Sequence, residues 1–254
     1  KHVHLVEENI FEAVRNNVLG TLNLIEYSRK FKVERFVFVS TDKAVNPTNV
    51  MGATKRLAEL LILANSNSNE LDNDTNFCIV RFGNVINSSG SVIPLFREQI
   101  IGGGPITVTH KDVTRFFMSI PEAAALVLHS CFLAKGGEVF VLDMGEPVKI
   151  LDIARKMISL SGLRERKNED GDIEIKFIGL RKGEKMHEEL VIDNELKPTN
   201  NPQISMSIEV HYPLKQIETI TDEINSILIN GQEEDMLSLL KKYIDNFEHN
   251  VKDL

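Results

Sequence analysis

Cysteine is scarce in this sequence of 254 residues, where Cys78 and Cys131 are the only two. Two cysteines exclude a disulfide-rich scaffold and indicate a reducing, cytoplasmic environment. Cross-links are also unnecessary, because a chain of this length with 42% hydrophobic residues can bury a substantial core. The composition is that of an ordinary globular protein with one large domain or two modest ones.

An excess of positive charge is missing as well. Lysine and arginine together number 29 against 37 acidic residues, which gives a formal net charge of −8. Binding to a nucleic-acid backbone needs a concentrated basic face, so we expect no nucleic-acid partner. A few local arginines can still hold a small anion such as a diphosphate, because guanidinium binds phosphate in a bidentate manner.

No hydrophobic run is long enough to cross a membrane. The longest apolar stretch covers residues 123–134 and is interrupted by His129 and Ser130. The sequence has no signal peptide, and it does not begin with methionine. We therefore expect no membrane span in this chain and a cytoplasmic location, either as a free protein or as the cytoplasmic domain of an inner-membrane protein.

Two common kinds of site leave no trace in the sequence. His2 and His4 stand two residues apart, but no cluster of cysteines or carboxylates accompanies them, so we predict no metal site. The Gly-x-Ser-x-Gly turn that presents the nucleophile of many serine hydrolases is also absent.

Helix-like and strand-like segments alternate in the first half of the chain. Apolar residues at helical spacing, or a proline suited to a first turn, predict helices over residues 10–30 and 51–64 and from Pro121 onward. Short apolar runs predict buried strands over residues 35–40, 77–82 and 138–142. Strands separated by helices form right-handed βαβ units, so the predicted fold class is α/β with a parallel sheet.

The pattern is less regular after about Gly145. The predicted elements there are a helix over residues 148–161, a strand over 173–178, an irregular connection over 194–213 and helices over 214–230 and 233–247. A stretch rich in asparagine, serine and aspartate, residues 65–76, is predicted to be a solvated loop.

The stretch most informative about chemistry follows the first predicted strand. The hydroxyls of Ser40 and Thr41 come first, and the carboxylate of Asp42 then stands beside the amine of Lys43. The carboxyl edge of a parallel sheet is where doubly wound proteins bind ligands. Adjacent residues in a strand point to opposite faces, so both charged groups can face a ligand only if the strand has already ended. The alternative is a plain surface ion pair, which is the usual meaning of an isolated Asp-Lys dipeptide.

Eight motifs place this stretch in a wider pattern. In chain order they are KHV (1–3), RNNVLGT (15–21), STDK (40–43), RFGN (81–84), GSVIPL (90–95), VTRF (113–116), LDMGEP (142–147) and GLRKGE (179–184). Together they resemble the extended short-chain dehydrogenase/reductase superfamily, and within it the polysaccharide-biosynthesis branch that contains UDP-N-acetylglucosamine 4,6-dehydratases. The resemblance covers nearly all of residues 1–193. It implies a Rossmann-like parallel sheet with a smaller C-terminal substrate-binding part.

One departure from the superfamily concerns its catalytic base. Most members carry Tyr-x-x-x-Lys on the helix after the strand, whereas this sequence has Met51 followed by Lys55. A thioether cannot accept a proton at a useful pH, so the usual base is missing. Many membrane-anchored dehydratases of the branch resemble this sequence in carrying methionine there, so the substitution favours the narrower resemblance. Which group accepts the proton in place of tyrosine stays open between Asp42 and ordered water.

A second departure concerns the dinucleotide fingerprint. None of the 15 glycines satisfies Gly-x-Gly-x-x-Gly, since Gly102 and Gly104 are followed by Thr107 at the last position. Family members carry the fingerprint upstream of the point where this chain begins. We therefore expect an N-terminally truncated chain that is inactive alone, with a partial NAD-binding domain over residues 1–147. Residues 148–254 are expected to form a substrate-binding region and a C-terminal helical tail.

The resemblance also implies roles for individual residues. The catalytic set is Thr41, Asp42, Lys43, Met51 and Lys55. The residues implied to bind the cofactor, NAD rather than NADP, are Ser40, Lys55, Arg81 and Gly83. Those implied to bind the UDP-sugar are Asn84, Ser91, Val92, Pro94, Leu95, Arg115, Arg181 and Glu184.

The reaction implied by the family is dehydration of UDP-N-acetylglucosamine to a UDP-4-keto-6-deoxy-sugar, with NAD taking a hydride from carbon 4 and returning it to carbon 6. Asp42 is the expected acid for the departing 6-hydroxyl, and Lys43 is the expected base at carbon 5, which requires a lowered pKa of Lys43. Two alternatives stay open, a UDP-sugar 4-epimerase and a noncatalytic interaction domain. The Asp42–Lys43 pair disfavours the first, and Met51 with the missing fingerprint favours the second. A homo-oligomer is expected.

Overall fold

The computed structural model describes residues 2–66, 75–168, 170–191, 196–209 and 211–249. Its helices are α1 (Val3–Glu7), α2 (Ile10–Val14), α3 (Gly20–Lys30), α4 (Val50–Ser66), α5 (Val92–Ile101), α6 (Ile120–Leu133), α7 (Ile150–Leu160), α8 (Leu214–Asn230) and α9 (Glu233–Tyr243). Its strands are β1 (Arg35–Val39), β2 (Asn76–Arg81), β3 (Asn84–Val85), β4 (Ile106–Val108), β5 (Thr114–Arg115), β6 (Phe117–Met118), β7 (Glu138–Leu142), β8 (Val148–Lys149), β9 (Ile175–Phe177), β10 (Leu196–Pro198) and β11 (Ile204–Ser207).

The main sheet has five strands in the order β1-β2-β7-β11-β10. The first three are parallel, with Phe38 of β1 opposite Ile79 of β2 and Ile79 opposite Val139 of β7. Because α4 lies between β1 and β2 in the chain and α6 lies between β2 and β7, the parallel strands are joined through helices. The α/β fold class predicted from the sequence is confirmed.

Two predictions about the second half of the chain are wrong. Residues 148–161 do not start as a helix, because Val148–Lys149 first pairs with β5 and the helix begins at Ile150. The supposedly irregular residues 194–213 contain β10 and β11, which extend the sheet with antiparallel strands. Both errors have the same cause: strands of two to four residues carry too short a pattern to be recognised without their partners. Residues 194, 195 and 210 lie outside the described residues, as does most of the predicted loop over 65–76.

The predicted helix over residues 10–30 is confirmed, with a π-helical segment (Arg15–Leu19) between α2 and α3. Such segments widen one turn of a helix and are frequent at functional sites. Here the widened turn carries Asn17, whose side-chain amide donates to Thr54 Oγ1 at 3.0 Å. The segment therefore fixes the helix against α4.

Helix α4 is the centre of the largest hydrophobic core. Almost all of its residues are buried, including Leu57, Leu60 and Leu61. The N-terminal helices and the closing pair α8 and α9 contribute to the same core. Residues after 147 thus pack on the helix that carries Met51 and Lys55, and the division of the chain at residue 147 stays a prediction. Within the described ranges, no helix is long and apolar enough to span a membrane.

Candidate active site

The Asp42–Lys43 pair lies where β1 has just ended. The strand stops at Val39, and Thr41 caps a single 3₁₀ turn over Asp42–Ala44 by accepting a hydrogen bond from the backbone N–H of Lys43 at 3.4 Å. The strand has therefore ended before Asp42, which is the condition for Asp42 and Lys43 to face the same side. Their side chains meet directly, with Lys43 Nζ 2.9 Å from Asp42 Oδ1.

Asp42 forms the floor beneath the site. Its carboxyl group is fully buried, and Oδ1 also accepts a hydrogen bond from Thr41 Oγ1 at 2.8 Å. The other oxygen, Oδ2, has no hydrogen-bond partner among the described residues. Gly83 covers this side, since a Cβ at that position would approach Oδ2 to 3.3 Å. The carboxylate is thus held by its neighbours with one oxygen left over for a proton or a hydrogen-bond donor.

The expectation of a lowered pKa for Lys43 is wrong. Burial of the ammonium lowers the pKa, but the carboxylates of Asp42 and Glu188 together outweigh burial, so the pKa of Lys43 is raised. Arg115 has a smaller effect in the lowering direction, and Lys55 is not among the causes. Lys43 therefore carries its proton in this structure, and any role as a base requires that this proton first moves elsewhere.

The close approach of α4 to the 3₁₀ turn over Asp42–Ala44 depends on Gly52. A Cβ on this residue would lie 2.0 Å from the carbonyl oxygen of Lys43, a distance that no side chain tolerates. The absence of a side chain lets the first turn of α4 lie directly against the backbone of Lys43. Because Met51 and Lys55 are on this helix, Gly52 sets their distance from Asp42 and Lys43.

Lys55 lies one helical turn beyond Met51, at the wall of the cavity. Its Nζ donates to the carbonyl oxygen of Val39 at 2.8 Å and lies 3.5 Å from the ring centroid of Phe38. Burial lowers the pKa of Lys55 to about 8, against a smaller opposing effect of Glu59. The two lysines of the site thus have pKa values shifted in opposite directions, because carboxylates outweigh burial at Lys43 whereas burial dominates at Lys55.

This difference between the lysines predicts a direct spectroscopic result. We expect the ε-carbon resonance of Lys55 in ¹³C-labelled protein to titrate near pH 8, because burial disfavours its charged form. A Lys55→Arg variant identifies the resonance by its loss. In the urea-unfolded chain the same lysine should titrate near its ordinary value of about 10.4. A folded-state titration at that ordinary value would contradict the buried environment.

The opposite part of the site is built around Arg115. Its guanidinium is buried, donates to Glu184 Oε1 at 3.1 Å and donates to the carbonyl oxygens of Thr114 and Met186. The backbone N–H of Arg181 donates to the other oxygen of Glu184 at 3.1 Å. Glu184, on the loop that follows β9, therefore joins the guanidinium of Arg115 on β5 to the backbone of Arg181 on its own loop.

A cavity of ≈ 610 Å³ connects the two parts, a volume within the range of small-ligand sites. It brings together most residues predicted for the site. Those that line it are Ser40, Thr41, Lys43, Met51, Lys55, Gly83, Asn84, Ser91, Val92, Leu95, Arg115, Arg181 and Glu184. Asp42, Arg81 and Pro94 do not line it; Asp42 lies behind Lys43 and Gly83, whereas Arg81 is fully buried elsewhere.

The placement of Arg81 does not fit its expected contact with the cofactor. Its guanidinium binds both carboxylate oxygens of Glu59, at 2.8 and 2.6 Å, and donates to Glu209 at 2.6 Å. No part of the side chain is exposed. Arg81 therefore lies behind the site, where its ion pair with Glu59 links β2 to α4.

Several lining residues were not predicted from the sequence. Asn17 reaches the cavity from the π-helical segment, and Thr109 both lines it and donates to Glu184 at 3.0 Å. Glu188 lies 3.5 Å from Lys43 Nζ just outside the lining. Asn17 belongs to the RNNVLGT motif, which is a signal that could have found it. Glu188 stands in a run of charged residues with no pattern that separates it from Glu189.

A family model described as "Polysaccharide biosynthesis protein" matches residues 1–209 of the chain. Among curated relatives, the capsular polysaccharide biosynthesis protein CapD of Staphylococcus aureus is 52% identical over 225 residues, which are 88% of this chain and 36% of CapD. A UDP-glucose 4-epimerase of Rickettsia canadensis is 39% identical over 196 residues, which are 77% of this chain and 54% of that protein. The chain thus spans about a third of the first relative and about half of the second.

Solved structures share the fold. The X-ray structure of Pen from Bacillus thuringiensis is 41% identical, with a TM-score of 0.73 over 81% of this chain and 63% of that one. A Thermus thermophilus UDP-glucose 4-epimerase in complex with NAD is 20% identical, with a TM-score of 0.62 over 74% of this chain and 65% of that one. The second likeness concerns the fold alone.

Proposed function

The chain belongs to the polysaccharide biosynthesis protein family of extended short-chain dehydrogenases/reductases, and from this we propose that it carries the acid–base site of a UDP-N-acetylglucosamine 4,6-dehydratase. The product is a UDP-4-keto-6-deoxy-sugar for surface polysaccharide synthesis. One observation carries the proposal: a carboxylate and an amine joined at 2.9 Å, with the amine facing a cavity of nucleotide-sugar size. Removal of water from carbons 5 and 6 needs one base and one acid placed together.

The pair supplies both functions from a single shared proton. In the ion-pair form the proton rests on Lys43 Nζ, and the 2.9 Å hydrogen bond is the path along which it moves to Asp42. The transfer leaves a neutral amine that accepts the proton of carbon 5, and a carboxylic acid at Asp42. Because Asp42 does not line the cavity, its proton reaches the departing 6-hydroxyl through Thr41 Oγ1, which contacts Asp42 Oδ1 and lines the cavity. Loss of water then restores the ion pair. The proton that the 4-hydroxyl releases when carbon 4 is oxidised is balanced by the proton that carbon 5 takes up when the hydride returns to carbon 6, so the full cycle leaves the site unchanged. Thr41 binds the 4-hydroxyl.

The residues at one end of the cavity fit the nicotinamide riboside of NAD. Lys55 and Ser40 offer a nitrogen and a hydroxyl at the wall, and Met51 adds apolar surface. When bound, NAD supplies hydride acceptance from carbon 4 and hydride return to carbon 6. The NAD complex of a protein with the same fold supports this cofactor. The glycine fingerprint for its pyrophosphate is not among the 15 glycines of the sequence.

The product distinguishes this proposal from others. The full-length gene product is incubated with UDP-N-acetylglucosamine and catalytic amounts of NAD, and the sugar is followed by ¹H NMR. We expect a new methyl resonance from carbon 6 and no stoichiometric NADH, because the hydride is returned. Steady release of NADH or an unchanged carbon 6 would refute the assignment.

A second candidate, a UDP-sugar 4-epimerase, is favoured by one observation, the 39% identity to the Rickettsia epimerase. Epimerisation inverts carbon 4 and leaves the 6-hydroxyl in place, so it has no use for an acid beside carbon 6. The same NMR experiment separates the two, since an epimer retains its hydroxymethyl signal.

The arginines at the other end of the cavity are proposed to bind the UDP moiety. We expect Arg115→Ala and Arg181→Ala each to weaken UDP binding about ten- to a hundredfold, because each loses a charge-assisted hydrogen bond of roughly 1.5–3 kcal/mol. Lys182→Ala is the matched control, as Lys182 is exposed and does not line the cavity. Calorimetry with UDP measures the effect, and wild-type affinity in both arginine variants would argue against this placement.

A further inference from the structure

Glu188 is a buried carboxylate that belongs to none of the three predicted sets of site residues. It lies on the loop after β9, and only 3% of its side chain is exposed. Its Oε1 lies 3.5 Å from Lys43 Nζ and 3.5 Å from Arg115 Nε. Its Oε2 has no hydrogen-bond partner among the described residues. Glu188 therefore bridges the amine of the acid–base pair and the arginine at the other end of the cavity.

A purely structural role explains this arrangement poorly. A buried carboxylate stabilises a fold only when short hydrogen bonds satisfy its oxygens, since its desolvation is costly. Both contacts of Glu188 are long and one oxygen is unsatisfied, whereas the Arg81–Glu59 pair in the same protein makes two short bonds. What the position does provide is a negative charge close to Lys43, in a place screened from water.

We infer that Glu188 is a positioning residue that fixes where the proton shared by Lys43 and Asp42 rests. The negative charge of Glu188 stabilises the ammonium of Lys43 and opposes transfer of the proton to Asp42. Arg115 acts in the other direction on Lys43, because its positive charge disfavours the ammonium. Its contact with Glu188 makes the position of the proton depend on the arginine that is proposed to hold the diphosphate. The consequence for catalysis rests on the proposed function, but the effect on the proton does not.

The charged groups that face Lys43 are few, which makes the effect measurable. Asp42 adjoins Lys43 on the same turn, Glu188 approaches from the loop after β9, and Arg115 approaches from β5. Asn84 Oδ1, 3.5 Å away, is neutral. Glu188→Gln keeps the shape of the side chain and removes one of the two negative charges that raise the pKa of Lys43.

The test is an NMR titration of Lys43 in the ¹³C-lysine-labelled protein, with its resonance identified by Lys43→Arg. We expect Glu188→Gln to lower the pKa of Lys43 by about one unit or more, the usual effect of an opposite charge at this distance. Glu189→Gln is the matched control. Glu189 is more than half exposed, accepts a hydrogen bond from Asn46 and contacts Lys185, so its removal should leave the titration unchanged. An unchanged pKa in Glu188→Gln would overturn the inference.

A second variant covers the case in which Glu188→Gln fails to fold. Glu188→Asp retains the charge and should keep the pKa of Lys43 above its ordinary value; a pKa at or below that value would overturn the inference. In the full-length gene product, the alkaline limb of the kcat/KM profile should move to lower pH in Glu188→Gln, since Lys43 then loses the shared proton at lower pH. Absence of dehydration in wild type would refute the proposed function, while the titration still decides the role of Glu188.

Discussion

Replacing Asp42 by asparagine is expected to lower turnover about 10²–10⁴-fold, the usual contribution of one positioned acid or base. Asparagine has the same shape, and its amide oxygen can still accept from Thr41 Oγ1. It cannot take the proton of Lys43, so the neutral amine and the acid never form together. Product formation from UDP-N-acetylglucosamine in the full-length gene product measures the loss.

Binding separates this chemical effect from a general disturbance of the site. Asp42 does not line the cavity, so calorimetry should find UDP affinity close to wild type in Asp42→Asn. Asp222→Asn is the matched control, because Asp222 is exposed on α8, away from the cavity. Full turnover in Asp42→Asn would remove Asp42 from the mechanism. A parallel loss of UDP binding would point to a role in holding the fold.

The elements that carry the site were visible in the sequence because their patterns are local. The apolar run before Ser40 identifies a buried strand, and the helical spacing after residue 50 identifies the helix that follows. The carboxyl ends of parallel strands meet at one edge of the sheet, so the stretch that contains Asp42 and Lys43 could be predicted as a ligand site without coordinates. The motifs then supplied residues from distant loops, such as Arg115 and Glu184, which no periodicity connects.

What the sequence left undetermined depends on contacts between distant segments. The pairing of Ile204 with Leu142 makes β11 a strand, yet nothing within residues 204–207 demands it. The raised pKa of Lys43 likewise has a contribution from Glu188, which lies 145 positions away in the chain. Glu188 and Glu189 are identical and adjacent, and only the fold buries one and exposes the other. Arg81 is the opposite case. It belongs to the RFGN motif, but its side chain pairs with Glu59 and Glu209 in the interior and does not line the cavity.

The interior charges around Arg81 join the parts of the molecule that form the cavity walls. Arg81 lies on β2, which leads into Gly83 and Asn84, and Glu59 lies on α4. Arg56 Nη1 contacts the carboxylates of both Glu59 and Glu209, at 3.0 and 2.8 Å, and so closes a network of two arginines and two glutamates. Burial raises the pKa of Glu59, but Arg81 and Arg56 outweigh it and lower that pKa to about 2.

Arg81→Met is accordingly expected to destabilise the chain by about 3–5 kcal/mol, because it leaves two buried carboxylates to share Arg56 alone. Urea unfolding at neutral pH measures the loss in full. The pKa of Glu59 is lowered in the folded wild-type chain, so its ionised carboxylate stabilises the fold at any pH above the ordinary carboxyl pKa. This stabilisation is lost as the pH falls toward about 2.

Two further variants decide whether an unpaired buried charge is the cause. Arg155→Met removes an arginine with a side chain 48% exposed and paired with Glu165 on the surface, and it should lose no more than about 1 kcal/mol. The double variant Arg81→Met with Glu59→Met removes one charge of each sign and leaves Arg56 paired with Glu209. It should therefore be more stable than Arg81→Met alone, since replacing both partners of a buried pair is less harmful than removing one. A double variant that is less stable than the single one would mean that Arg81 acts through packing rather than through charge.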